Sequence, residues 1–171
     1  WGQRDCFVVG ETGFGAGLNF LATWKAWRET AAPGAVLHYL ALEGYPLTRE
    51  QLLACLAPWP ELSTLSAELV DVYPPLHDGF HRVWLDGGRV ALTLMIGEAA
   101  AVLAEAEARV DAWFLDGFSP ARNPAMWSPE VFTEIARLSA PGATLAAFTV
   151  ARMVRHDLAM VGFTLDTRSG F

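Results

Sequence analysis

The chain has 171 residues, 53% of them hydrophobic and 18% charged, with a formal net charge of -7. That composition fits one domain with a sizeable core and excludes a disordered chain. The negative balance excludes a broadly basic nucleic-acid surface, though not a local basic patch.

Strand and helix patterns alternate along the chain. Cys6 to Val9 is a short apolar run closed by glycine, which predicts a buried strand. Asn19 to Arg28 carries Phe20, Leu21, Trp24 and Trp27 at helical spacing. Pro33-Gly34 breaks the chain, and Val36 to Leu42 predicts a second strand that ends on Glu43. Thr48 caps a helix with Glu50 and Gln51 in its first turn. Pro58 and Pro60 end that helix, and Glu61 to Val70 predicts another.

His81 to Leu85 and Arg89 to Ile96 flank Asp86-Gly87-Gly88, a hairpin signal. Glu98 to Ala108 is alanine-rich and helical. Ala112 to Leu115 is a strand ending on Asp116. Pro129 to Leu138 is a helix with proline at its start. Pro141-Gly142 predicts a turn, Thr144 to Thr149 a strand, Arg152 to Met160 a helix, and Phe163 to Thr167 a last strand. This alternation predicts an α/β fold with a mostly parallel sheet, helices on both faces and a β-hairpin insertion. The abrupt start in an apolar strand and the ending at Ser169-Gly170-Phe171 suggest a fragment, residues 1–171 being a domain short of N-terminal and C-terminal parts.

No apolar run is long enough to cross a bilayer. The first residues do not resemble a signal peptide. Cys6 and Cys55 give neither metal spacing nor a disulfide framework, so a reducing cytoplasm is the expected setting. His38, His77, His81 and His156 lack zinc spacing, and no metal site is expected. The serines stand in no nucleophile-elbow context. Asp111 and Asp116 bracket one strand, but their odd spacing puts them on opposite faces and rules out a paired acid/base couple.

The turn Glu11-Thr12-Gly13-Phe14-Gly15-Ala16-Gly17 lies between the first strand and its helix. Ligands of open α/β sheets bind at that edge. Gly13, Gly15 and Gly17 let backbone approach a ligand closely. Dinucleotide sites use G-x-G-x-x-G, whereas the spacing here is G-x-G-x-G with Glu11 leading it. A carboxylate there repels a pyrophosphate and suits the ammonium of a methionine moiety, which favours S-adenosylmethionine. A ligand-free strand-to-helix turn is the plain alternative.

Glu43, at the end of the second strand, can accept both ribose hydroxyls of an adenosine cofactor. It can equally be a solvated strand-end charge. Glu98 follows Ile96-Gly97 and either lies near the adenine or caps the next helix. Asp116 opens the loop Gly117-Phe118-Ser119-Pro120-Ala121-Arg122-Asn123-Pro124 at the sheet's carboxyl edge. Methyl transfer to nitrogen is an in-line displacement that depends on positioning, and an amine must be neutral to attack. A carboxylate beside the nitrogen can take its proton and orient its lone pair. Phe118, Ser119 and Pro120 offer a flat wall for a base.

Three stretches then carry a resemblance: Gly13-Phe14-Gly15-Ala16-Gly17-Leu18-Asn19-Phe20; Glu43-Gly44-Tyr45-Pro46-Leu47-Thr48; and Trp113-Phe114-Leu115-Asp116 through Pro124 with Met126-Trp127. They resemble the methyltransferase domain of the tRNA 5-methylaminomethyl-2-thiouridine biosynthesis proteins, the MnmC family. Leu145 to Phe171 fits as well, through Phe148-Thr149, Val154-Arg155 and Gly162-Phe163. The resemblance implies a class I S-adenosylmethionine-dependent methyltransferase fold. It implies methylation of the aminomethyl nitrogen of a wobble uridine in tRNA. It carries over Glu11, Gly13, Gly15, Gly17, Glu43 and Glu98 to the cofactor and Asp116 to the reacting amine. Many members continue into an FAD-dependent oxidase domain, so FAD is expected only with such a domain, fused or partner. Two positions depart from the family pattern: Gly44 stands where a lysine is common, and Glu98 where an aspartate is. A methyltransferase for a small amine and a non-catalytic nucleotide-binding module remain as alternatives.

Overall fold

The computed structural model describes residues 1–166 other than Gln3 and Val150. Six strands form one sheet: β1 Cys6–Thr12, β2 Val36–Glu43, β3 Gly79–Leu85, β4 Val90–Ile96, β5 Val110–Leu115 and β6 Ser139–Ala147. Their order is β3-β4-β2-β1-β5-β6. All neighbours pair in parallel except β3 with β4, the inserted hairpin. A three-residue helical turn over Asp86–Gly88 joins the hairpin strands.

Six helices are described: α1 Leu18–Thr30, α2 Arg49–Leu56, α3 Ser63–Val72, α4 Ala99–Glu105, α5 Pro129–Leu138 and α6 Arg152–Met160. They cover both faces, because alternate residues of each buried strand point to opposite sides. Leu37, Tyr39 and Ala41 pack with α1, α2 and α3. Leu40 and Leu42 pack with α4, α5 and α6. Thr48 opens α2 with a complete capping box, its hydroxyl accepting from the Gln51 N–H and the Gln51 side chain accepting from the Thr48 N–H. No helix of the described residues is long and apolar enough to cross a membrane.

Several elements differ from the sequence reading. β1 does not stop at Val9 but runs through Glu11 to Thr12, flanked on both sides by β2 and β5. Paired neighbours hold those residues extended, overriding the turn signal of Gly10. α4 ends at Glu105 rather than Ala108, because Ala106 turns extended to start the run into β5. Pro141-Gly142 does not separate α5 from a later strand. β6 starts at Ser139, and its register on β5 jumps from Val110↔Ser139 to Ala112↔Thr144. The pair sits in that irregularity, where a residue without an N–H and a glycine at φ 80 disturb no ladder. Thr149 falls outside β6. Phe163 to Asp166 form no strand among the described residues, and Thr167 lies outside those described.

Candidate active site at the carboxyl edge of the sheet

The carboxyl ends of β1, β2, β4 and β5 open into one cavity of about 790 Å³, a volume typical of small-ligand sites. The glycine turn forms its floor. Gly13 and Phe14 both donate their N–H to the Leu42 carbonyl, at 3.0 and 2.9 Å, which ties the turn to the end of β2. Gly13 has φ 91, and a Cβ there would lie 2.9 Å from Gly117 Cα and 3.2 Å from the Asp116 carbonyl oxygen. Glycine is therefore what lets the turn touch the loop after β5. Thr12 Oγ1 donates to that same Asp116 carbonyl at 2.9 Å. Gly17, at φ 72, caps α1 with no side-chain hydrogen bond. A Cβ on Gly17 would strike the buried Phe14 ring, whereas a Cβ on Gly15 would meet only open space. Gly13 and Gly15 line the cavity, and Gly17 shapes the turn from behind.

Glu11 is the least exposed carboxylate of the site, at 1%. Asn19 Nδ2 donates to its Oε1 at 2.7 Å, and the Tyr39 hydroxyl donates to its Oε2 at 3.0 Å. The same Asn19 nitrogen donates to Asp116 Oδ2 at 2.9 Å. One amide thus spans two carboxylates from adjacent strands. Asp116 Oδ1 accepts from the Gly117 N–H at 2.7 Å, which fixes its second oxygen. Burial pushes Glu11 up to about 8, and the charges of Asp116 and Glu43 add to the rise against the two donated hydrogen bonds. Burial, and then Glu11 itself, push the Tyr39 hydroxyl far above its ordinary range, so it serves as a donor.

Glu43 closes the end of β2 on itself. Its Oε2 accepts from the Gly15 N–H and its Oε1 from the Tyr45 N–H, both at 2.8 Å. Glu98 caps α4, accepting from the Ala100 and Ala101 N–H groups at 3.3 and 3.0 Å, and still lines the cavity. Phe118 lines the mouth and is 60% exposed. Ser119 and Pro120 do not line the cavity. The Ser119 carbonyl instead accepts from the Arg122 and Asn123 N–H groups, which folds the loop into a turn. Buried Trp127 pins that loop by donating its Nε1–H to the Phe118 carbonyl at 2.8 Å.

Sequence reasoning missed Asn19 and Tyr39. Asn19 is a polar residue one position inside an otherwise apolar helix start, which was a usable signal. Tyr39 looked like any β-strand core aromatic, and only its hydrogen bond to Glu11, two register positions along from its own partner Val9, gives it a role. Asp111 is structural, accepting from Arg4 Nη1 at 2.8 Å and the Val8 N–H at 2.9 Å, remote from the cavity. Among the described residues, no cluster of three His, Cys, Asp or Glu side chains is placed to hold a metal ion.

The charge of the cavity lining is one-sided. Glu11, Glu43, Asp78, Glu98 and Asp116 line it, and among the described residues no lysine, arginine or histidine does. Such a site repels a pyrophosphate and attracts a ligand carrying ammonium or sulfonium charge.

Comparisons with known proteins agree with this chemistry. Residues 60–171 match the model of a family described as S-adenosyl-L-methionine-dependent methyltransferase. The chain is 54% identical over 164 residues to the tRNA 5-methylaminomethyl-2-thiouridine biosynthesis bifunctional protein MnmC of Ectopseudomonas mendocina, covering 96% of this chain and 25% of that protein. It is 53% identical over 171 residues to the protein of the same name from Thiobacillus denitrificans, covering all of this chain and 28% of that one. The chain thus spans about a quarter of the length of these curated relatives. The crystal structure of MNMC2 from Aquifex Aeolicus superposes with a TM-score of 0.73 at 23% identity, covering 94% of this chain and 48% of that one, and shows the shared fold.

Proposed function

The chain belongs to the family of S-adenosyl-L-methionine-dependent methyltransferases, and from that premise we propose that it methylates the aminomethyl nitrogen of a modified wobble uridine in tRNA, forming 5-methylaminomethyl-2-thiouridine. The observation that carries the reading is the acidic cavity with Asp116 at the carboxyl edge of β5. The substrate is supported by the name that relatives about half identical to this chain carry.

The residues present fit the cofactor. Its positive charge would meet an acidic lining, and the bare backbone of Gly13 and Gly15 would give it room. Glu11, with Asn19, would hold the ammonium, giving up its proton as the cation binds. Glu43 would take the ribose hydroxyls on releasing the Gly15 N–H, and Glu98 would serve the adenine. The cofactor supplies an electrophilic methyl group.

The rest is positioning and proton handling by this chain. Asp116, held by Asn19 and Gly117, accepts a hydrogen bond from the substrate amine and keeps its lone pair aimed at the methyl carbon. With the methyl group supplied by a bound cofactor, the proton left on the product nitrogen would pass to Asp116 or to water. Phe118 walls the mouth against the base, with Ser119 and Pro120 shaping the turn behind it.

An FAD-dependent oxidase region elsewhere in the full protein, preparing the amine, belongs to the same proposal, as does action in the cytoplasm. Exposed Cys6 and Cys55, both free thiols, are compatible with that setting. The test is transfer of labelled methyl to tRNA bearing the aminomethyl group, compared with unmodified tRNA. Asp116→Ala should lose at least about a hundredfold in kcat while still binding cofactor. Wild-type protein that transfers nothing, or a variant as active as wild type, refutes the proposal.

A further inference from the structure

The functional reading leaves unexplained how an acidic protein holds a polyanion next to an acidic cavity. The cations are arranged to answer it. Between Gly117 and Pro129, and between Ser139 and His156, the sequence contains no aspartate or glutamate, yet it contains Arg122, Arg152 and Arg155. All three are exposed. Arg4, Arg28, Arg49 and Arg137 each pair with a carboxylate. Among the described residues, Arg122, Arg152 and Arg155 pair with none. Arg152 and Arg155 also occupy the first turn of α6, where cations oppose the helix macrodipole. Helix stability alone therefore disfavours them there.

Exposed aromatic rings occur in the same two segments, Phe118 four positions before Arg122 and Phe148 four positions before Arg152. Register pairs Leu115 with Ala147 on parallel β5 and β6, so Asp116 and Phe148 leave the sheet side by side, about one strand spacing of ~4.8 Å apart. Phe148 is 57% exposed and Phe118 is 60% exposed. Buried Trp127 ties both to one support: its ring meets Phe148 edge-on at 5.8 Å, and its Nε1–H holds the Phe118 carbonyl. Large exposed aromatics on a rigid support beside unpaired arginines form the pattern that grips single-stranded RNA. Arginines take phosphates, and rings take unstacked bases.

We propose that the surface formed by Phe118, Arg122, Phe148, Arg152 and Arg155 is the seat of the tRNA anticodon loop, holding its backbone and flanking bases while one base turns in toward Asp116. This rests on the tRNA reading above. The cavity's five carboxylates then exclude phosphate from the reacting end, and the arginine-bearing surface beside it recruits the strand.

The experiment measures binding and turnover separately on the full-length protein, using tRNA with the aminomethyl group. The triple variant Arg122→Ala/Arg152→Ala/Arg155→Ala is compared with Lys25→Ala/Arg82→Ala. Lys25 lies on α1, and Arg82 lies on β3, the edge strand at the other end of the sheet from β6. Anisotropy titrations run from about 50 to about 200 mM salt. Loss of three single-strand phosphate contacts should lower the slope of log affinity against log salt by about 2 and weaken binding by about tenfold or more. Cofactor affinity should stay at the wild-type value, which also verifies folding. Phe148→Ala should raise KM for tRNA and leave the salt slope unchanged. The control pair should bind as wild type. A triple variant with wild-type affinity and slope overturns the proposal, as does equal weakening by the control pair. Wild-type protein that binds tRNA through these arginines yet transfers no methyl refutes the functional reading alone.

Discussion

Glu11→Gln should make the protein more stable, and increasingly so as pH rises. The wild-type carboxyl is held at about 8 in the folded chain against an ordinary glutamate value of 4.5. Below pH 4.5 it is protonated in both states and costs nothing. Between 4.5 and 8 the folded state keeps a proton that the unfolded state releases, so stability falls by about 1.4 kcal/mol per pH unit. The accumulated cost is about 3 kcal/mol at pH 7 and levels off near 5 kcal/mol above pH 8. Glutamine reproduces the shape of the neutral acid, can still accept from Asn19, and can donate to the Tyr39 hydroxyl. Its advantage should therefore be near zero at pH 4.5 and grow to a Tm increase of roughly 6–12 °C at pH 7. Thermal melts of both proteins from pH 4.5 to 9, compared as differences, isolate this group from every other carboxylate. Parallel curves across that range refute the reasoning. A cation bound beside Glu11 favours its ionised form, so cofactor binding by wild type at pH 7 should release a proton, seen in calorimetry with buffers of different ionisation enthalpy. Glu11→Gln should abolish that release.

Gly13→Ala should cost about 1–3 kcal/mol for its φ of 91 alone, and should also reduce methyl transfer, because its Cβ pushes on Gly117. Gly15→Ala bears similar backbone strain without the collision, so it should raise KM for the cofactor, into whose space its methyl projects, and spare kcat at saturating cofactor; equal kcat losses would disprove the packing argument. Trp127→Phe removes the hydrogen bond to Phe118 at about 1 kcal/mol. It should speed amide exchange over residues 117–123 and raise KM for tRNA while leaving cofactor affinity unchanged, and unchanged exchange there would show that Trp127 does not pin the loop.

The alternating strand and helix periods and the glycine spacing determined the fold class. They did so because burial on both sheet faces writes itself into local sequence. The acids at strand ends were legible too, since parallel strands deliver their carboxyl ends to one edge. The sequence could not give the state of those acids. Glu11 looked like a turn residue open to a ligand, and only pairing of β1 between β2 and β5 buried it under α1 and raised its affinity for a proton. Asn19 sits 97 positions from Asp116, and packing of α1 against the sheet alone made it the bridge between two carboxylates. Glu43 and Glu98 each hold backbone N–H groups, which no spacing rule separates from a ligand contact. Local periodicity records which faces are buried. Which side chains meet is decided by strand order and register, and those follow from the whole sheet.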